Sequence, residues 1–142
     1  MNRRIFERGD KQRANVLCED HDVVVVDNFS SGDSANLGHL DSNPRLSIHR
    51  ADIADFPVIK PLFAGVDWVF HLAGLADIVP SIERPDLYFS TNVHGTLNVL
   101  ERARSAQVER FVYAASSSRY GVPDVYPTPE TAPVNAQYPY AL

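Results

Sequence analysis

Four consecutive valines, Val23 to Val26, stand between Asp22 and Asp27. β-Branched side chains favour extended backbone, and successive side chains of a strand point to opposite faces. A run with no polar residue at alternate positions therefore needs apolar cover on both faces. A parallel sheet flanked by helices provides that cover, whereas a sheet with one wet face does not. Along the rest of the chain, short apolar segments alternate with helical ones. Leu46–Arg50, Asp67–Leu72 and Val108–Ala115 read as strands. Phe56 to Phe63 reads as a short helix, with Pro57 suited to its first turn and Pro61 limiting its extent. Asp86 to Ala106 carries Leu87, Val93, Leu97, Leu100 and Ala103 at helical spacing, which predicts a long amphipathic helix with that stripe inward. The five prolines between Val122 and Pro139 predict a surface loop, and Tyr138-Pro139-Tyr140 opens another helix. The alternation predicts an α/β fold built on a doubly wound parallel sheet. Ligands of such sheets bind beyond the carboxyl ends of the strands, where Asp27, Asp52, Gly74 and Ser116 fall.

Composition narrows the function classes. A length of 142 residues is one domain's worth of chain. The net charge of −5, with no basic stripe, argues against a nucleic-acid partner. Arg3, Arg4, Arg8, Lys11 and Arg13 crowd the start, but Glu7 and Asp10 interrupt them and no apolar segment follows, unlike a targeting peptide. No aliphatic run exceeds Val23–Val26, so no membrane span is expected. Cys18 is alone, which excludes an internal disulfide and makes a reducing cytoplasm the expected location. His21, His39, His49, His71 and His94 show no ligand spacing, so no metal is expected. His71, at a strand end, reads as a satisfied, partly buried side chain rather than a phosphate contact.

Several segments carry a resemblance when taken in order. They are Val23–Asn28 with Phe29-Ser30-Ser31-Gly32, Ala51-Asp52-Ile53, His71-Leu72-Ala73-Gly74, and Asn92-Val93-His94-Gly95-Thr96. Ala114-Ala115-Ser116-Ser117-Ser118-Arg119-Tyr120-Gly121 and Tyr138-Pro139-Tyr140-Ala141-Leu142 complete the series. In this order and spacing, over roughly residues 15 to 142, the chain resembles the extended short-chain dehydrogenase/reductase family. The branch is that of the NAD-dependent nucleotide-sugar epimerases and dehydratases, typified by the UDP-glucose 4-epimerases. The resemblance implies a Rossmann-like domain, NAD as cofactor and a nucleotide-sugar substrate, a UDP-sugar foremost. A homodimer is compatible with it.

The resemblance also implies roles. Asp27 would accept hydrogen bonds from the ribose hydroxyls of NAD. No Lys or Arg occurs between Asp27 and Arg45 to meet a 2′-phosphate, which favours NAD over NADP. The plainer role for Asp27 is to cap a strand-end turn. Asn28, Ser31 and Gly32 fit the adenosine-side loop. Asp52 and Ile53 would flank adenine, with a helix N-cap as the alternative role of Asp52. Leu72, Ala73 and Gly74 would run along the cofactor, where small residues let backbone approach. Asn92, poorly suited to a helix interior, would bond neighbouring backbone. Tyr140 would take the proton from a sugar hydroxyl, and Ser116 would hold the same oxygen. A free phenol titrates near about 10, so the reaction depends on a cation lowering that value. The family supplies it as a lysine four residues past the tyrosine, at a position 144 that a chain of 142 residues does not contain.

The start departs from the family as well. Members open with an aliphatic strand and a GxxGxxG turn that cradles the pyrophosphate. Met1 to Asp22 holds one glycine, Gly9, and no aliphatic strand; from about Arg13 the chain resembles the end of the family's first helix. Three outcomes are open for the central strand slot. The segment around Ile5-Phe6 fills it, another chain fills it, or the domain is poorly stable. The expected whole is a single partial NAD-binding domain over residues 1–142, truncated at both ends, with weak or absent activity of its own. The rival is a non-catalytic Rossmann-like binding or interaction module.

Overall fold

The computed structural model describes residues 3–7, 14 and 17–141. Strands β1 (Arg3–Glu7), β2 (Asp22–Asp27), β3 (Leu46–Arg50), β4 (Trp68–His71) and β5 (Arg110–Tyr113) form one sheet. Its order is β3-β2-β1-β4-β5, and every neighbouring pair is parallel. The four valines of β2 are 0–1% exposed. Val24 and Val26 pack with Ile53, Ile59, Phe63, Val69 and Val99. Val23 and Val25 pack with Ala14, Cys18 and Leu37 on the opposite face. One strand thus serves two cores, which is why its sequence does not alternate. Each buried valine contributes on the order of 2 kcal/mol.

The central slot is filled by β1. Ile5 pairs with Val24 on one side and Val69 on the other, and Phe6 pairs with Val25 and Phe70. The first strand, unrecognisable from its composition, is therefore present. The reason is that a ladder is made by backbone N–H and C=O groups, which any non-proline residue supplies. The region expected to hold the glycine-rich turn, Arg8 to Arg13 with Gly9, lies outside the described residues.

Helix α1 (Phe56–Ile59) is capped by Asp55, whose carboxylate accepts from Val58 N, and Pro57 occupies its first turn. Pro61 has no N–H, and the chain continues only as a 3-10 turn, Lys60–Phe63. Helix α2 (Ile78–Glu83) leads into a long helical stretch of three parts. These are α3 (Pro85–Tyr88), a π-helical segment Phe89–Gly95, and α4 (Thr96–Ser105). The length agrees with the expectation, but of the expected stripe only Ala103 turns inward. Leu87, Val93, Leu97 and Leu100 are 40–55% exposed. Tyr88, Gly95, Asn98, Val99 and Ala103 are buried instead. A Cβ on Gly95 would lie 2.7 Å from Ile53 Cδ1 and Cγ1. Asn98 Nδ2 donates to the carbonyls of Ile53 and Ala54 at 2.9 and 3.1 Å. The helix comes too close to the loop after β3 for leucine on that side, and it meets exposed carbonyls that need a donor.

Candidate active site

The carboxyl ends of β2, β3, β4 and β5 border two adjoining hollows. The first is a groove lined by Asp27, Asn28, Ser31, Asp52, Ile53 and Gly74, among others. The second is a cavity of about 850 Å³ whose walls include Leu72, Asn92, Tyr113, Ser116, Arg119 and Tyr140. Ala73, Gly74 and Leu75 line both, so the loop after β4 is the shared wall.

In the groove, Asp27 Oδ1 accepts from Phe29 N at 2.7 Å, so this residue does close the strand-end turn. Gly32 lies on the same loop, where a Cβ would come 3.4 Å from Asp27 Oδ2. Asp52 is not a helix N-cap, since Asp55 fills that role. Asp52 Oδ1 accepts from Ala54 N at 2.8 Å, and Asp52 Oδ2 accepts from Asn28 Nδ2 at 2.9 Å. The Asn28–Asp52 bond ties the loop after β2 to the loop after β3 and forms the floor of the groove. Asn28 Oδ1 in turn accepts from Ser30 N at 3.0 Å.

The cavity wall is stitched from one face of the long helix. Tyr88 Oη donates to Ala76 O at 3.0 Å. Asn92 Oδ1 accepts from Leu75 N at 2.8 Å, and Asn92 Nδ2 donates to Leu75 O at 3.0 Å. Thr96 Oγ1 lies 2.7 Å from His71 Nε2 in a hydrogen bond. Tyr88, Asn92 and Thr96 recur every four residues, so one helix face holds the end of β4 and the loop that follows it. The π-helical turn that contains Asn92 is of a kind that gathers at functional sites. Gly74 lies close by, where a Cβ would sit 3.4 Å from Asn92 Oδ1.

His71 is 1% exposed, and burial lowers its pKa to about 4. Its ring stacks on Tyr113 at 5.6 Å and meets Phe111 at 5.9 Å. It is a neutral, packed side chain, as expected of it. Ser116 caps the 3-10 turn Ser117–Tyr120, its Oγ accepting from Ser118 N at 3.2 Å. The loop from Val122 returns to this turn: Asn135 N donates to Arg119 O at 2.9 Å. Gly121, at φ 65°, is required there, since a Cβ would stand 2.4 Å from Asn135 O. Tyr140 lies on the 3-10 turn Pro139–Ala141, its ring 6.5 Å from that of Tyr88 at 79°.

The structure thus brings Leu72, Ala73, Gly74, Asn92, Ser116 and Tyr140 to one cavity. It brings Asp27, Asn28, Ser31, Asp52 and Ile53 to the adjoining groove, with Gly32 beside Asp27. Sequence reasoning missed Tyr88, Thr96, Asn98 and Arg119. The four-residue recurrence through Asn92 was the available signal for Tyr88 and Thr96. Among the described residues no cluster of three metal-ligating side chains occurs, and no helix is long and apolar enough to cross a membrane.

A parallel sheet in this order, with its hollows beyond the strand ends, defines a Rossmann-like domain. Residues 11–142 match the NAD dependent epimerase/dehydratase family, and the chain belongs to it. A UDP-glucose 4-epimerase of Mycolicibacterium smegmatis is 35% identical over 133 residues, 89% of this chain and 41% of the relative. UDP-glucuronic acid decarboxylase 1 of Arabidopsis thaliana is 40% identical over 110 residues, 78% of this chain and 24% of the relative. Among solved structures, a UDP-glucose-4-epimerase of Stenotrophomonas maltophila, with bound NAD and formylated UDP-arabinopyranose, superposes with a TM-score of 0.86 at 28% identity. That match covers 99% of this chain and 44% of the solved one. The chain spans less than half the length of each.

Proposed function

We propose that residues 1–142 form a single NAD-binding domain of a nucleotide-sugar epimerase or dehydratase, with a UDP-sugar as substrate. The observation that carries this reading is the pair of adjoining hollows, which share Ala73, Gly74 and Leu75. The residues fit NAD. A carboxylate ends β2, the groove at its foot is lined by no Lys or Arg among the described residues, and it shares the wall Ala73–Leu75 with the larger cavity. When bound, NAD would supply a reversible hydride acceptor for a sugar carbon. The carboxylate of Asp27 would accept from ribose hydroxyls. Asn28, Ser31, Gly32, Asp52 and Ile53 border the adenosine end, and Leu72, Ala73, Gly74 and the Asn92 clamp keep the path to the cavity open. Tyr140 Oη, as the phenolate, would take the proton of the sugar hydroxyl while the carbon gives its hydride to the cofactor, and Ser116 Oγ would steady that oxygen. The UDP-sugar named for each of the relatives above supports the substrate class.

A homodimer is part of the proposal, supported by exposed Val93, Leu97 and Leu100 along one helix face. A cytoplasmic location is supported by the free, buried thiol of Cys18. Calorimetric titration of the purified chain with NAD and NADP tests the cofactor reading. Micromolar NAD binding, with NADP at least about tenfold weaker, is expected, and Asp27→Ala abolishes the preference. Absence of heat at millimolar NAD sinks the reading. NAD binding with no oxidation of any UDP-sugar supports the rival binding module.

A further inference from the structure

We infer that Tyr88 is a positioning residue for Tyr140: its anchored ring sets the orientation of the Tyr140 phenol in the large cavity. This rests on the reading of Tyr140 as the proton acceptor. The turn that carries Tyr140 is short. Ala141 N donates to Tyr138 O at 2.8 Å, and Pro139 has no N–H to contribute. A three-residue turn of this kind does little to aim a long aromatic side chain. Helices α2 and α3 pack against it, and Tyr88, at the end of α3, supplies the aromatic contact. The rings lie 6.5 Å apart at 79°, the edge-to-face arrangement that attracts aromatic pairs.

Tyr88 is itself rigid. It is 5% exposed and its hydroxyl is bound to Ala76 O. One turn further on, Asn92 holds the preceding residue, Leu75, through both backbone groups. The anchor therefore extends from the helix through the Leu75–Ala76 backbone.

Two phenols this close invite the question of which one ionises. The Tyr88 proton is committed to a carbonyl. Burial, and then the Asp77 carboxylate and Tyr140, push the Tyr88 pKa up. Tyr88 therefore holds its proton more firmly than a free phenol does. A second ionisable phenol is thus kept out of the proton transfer while its ring still guides the first.

Tyrosine labelled with ¹³C at the ring Cζ, incorporated into the whole chain, reports both resonances by NMR, with Tyr140→Phe as the assignment control. Tyr88→Leu, which removes the ring that meets Tyr140 edge to face, should move the Tyr140 Cζ resonance. Tyr88→Phe, which keeps the ring but loses the bond to Ala76 O, should move it less than Tyr88→Leu does. A folded Tyr88→Leu chain with Tyr140 unmoved overturns the inference. If that variant does not fold, the wild-type ring-to-ring nuclear Overhauser effect decides, and its absence overturns the inference equally. Addition of NAD separates this from the parent reading. A Tyr140 titration indifferent to saturating NAD counts against its role as proton acceptor and leaves the ring contact, measured without NAD, standing.

Discussion

Both ends of the Asn92 amide meet the backbone of one residue, Leu75. Asparagine is a poor helix former, so its presence inside a helix has to be explained by what it binds. Asn92→Ala leaves a partly buried N–H and C=O without their partner, at about 1–3 kcal/mol. Urea denaturation should show a loss near 2 kcal/mol, with Asn92→Asp, which keeps the acceptor, losing less. His71 gives a pH dependence. Imidazole ordinarily titrates near 6.5, and burial lowers His71 to about 4. Between those values the unfolded chain binds a proton that the folded chain does not. The stability contributed by this residue is complete above pH 6.5 and is lost as pH falls toward 4. The full loss is about 3 kcal/mol. Denaturation midpoints across that range should fall, and His71→Gln should flatten the slope. Asp27, Asn92 and His71 were legible as residues with a job. That Asp52 holds Asn28 rather than capping a helix was not, because two aspartates three residues apart compete for one cap and only backbone geometry decides between them.

The long helix shows how an element can be right in length and wrong in face. Leu87, Val93, Leu97 and Leu100 make the obvious apolar stripe, yet the core takes Gly95, Asn98, Val99 and Ala103. A π-helical turn changes the spacing that a 3.6-residue period assumes, and the close approach to Ile53 selects small residues over large ones. Gly95→Ala gains up to about 1 kcal/mol in helix propensity. It also drives a methyl into the buried Ile53 side chain, and overpacking of that kind costs about 1–3 kcal/mol. Thermal and chemical denaturation should show a net loss near 1 kcal/mol; a stabilised variant would contradict the close approach. Strand β1 makes the opposite point. Arg3–Glu7 has few strand credentials of its own, and it lies between β2 and β4 because both neighbours offer a ladder.

Over the described residues, the doubly wound sheet commits its two faces to separate cores and leaves an apolar face of the long helix outside them. Val93, Leu97 and Leu100, 44–55% exposed, lie on that face. If a second copy covers it, sedimentation should give a dimer for the wild type and a monomer for Leu97→Glu/Leu100→Glu, with the melting temperature of the monomer fold kept. A wild-type monomer at high concentration would remove the dimer from the proposal. The sequence by itself determined the parallel architecture. Four valines with no polar alternate admit only a strand covered on both faces, and that information is local and one-dimensional. It also determined which residues gather at the strand ends, since the positions of Asp27, Asp52, Gly74 and Ser116 follow from where the strands stop. Only the tertiary structure decided what fills the centre of the sheet, which face of the long helix turns inward, and which side chains brace Tyr140. Those outcomes depend on distances between segments far apart in the chain, where backbone ladders, a 2.7 Å approach at Gly95 and the Tyr88 ring act on neighbours that no local pattern names.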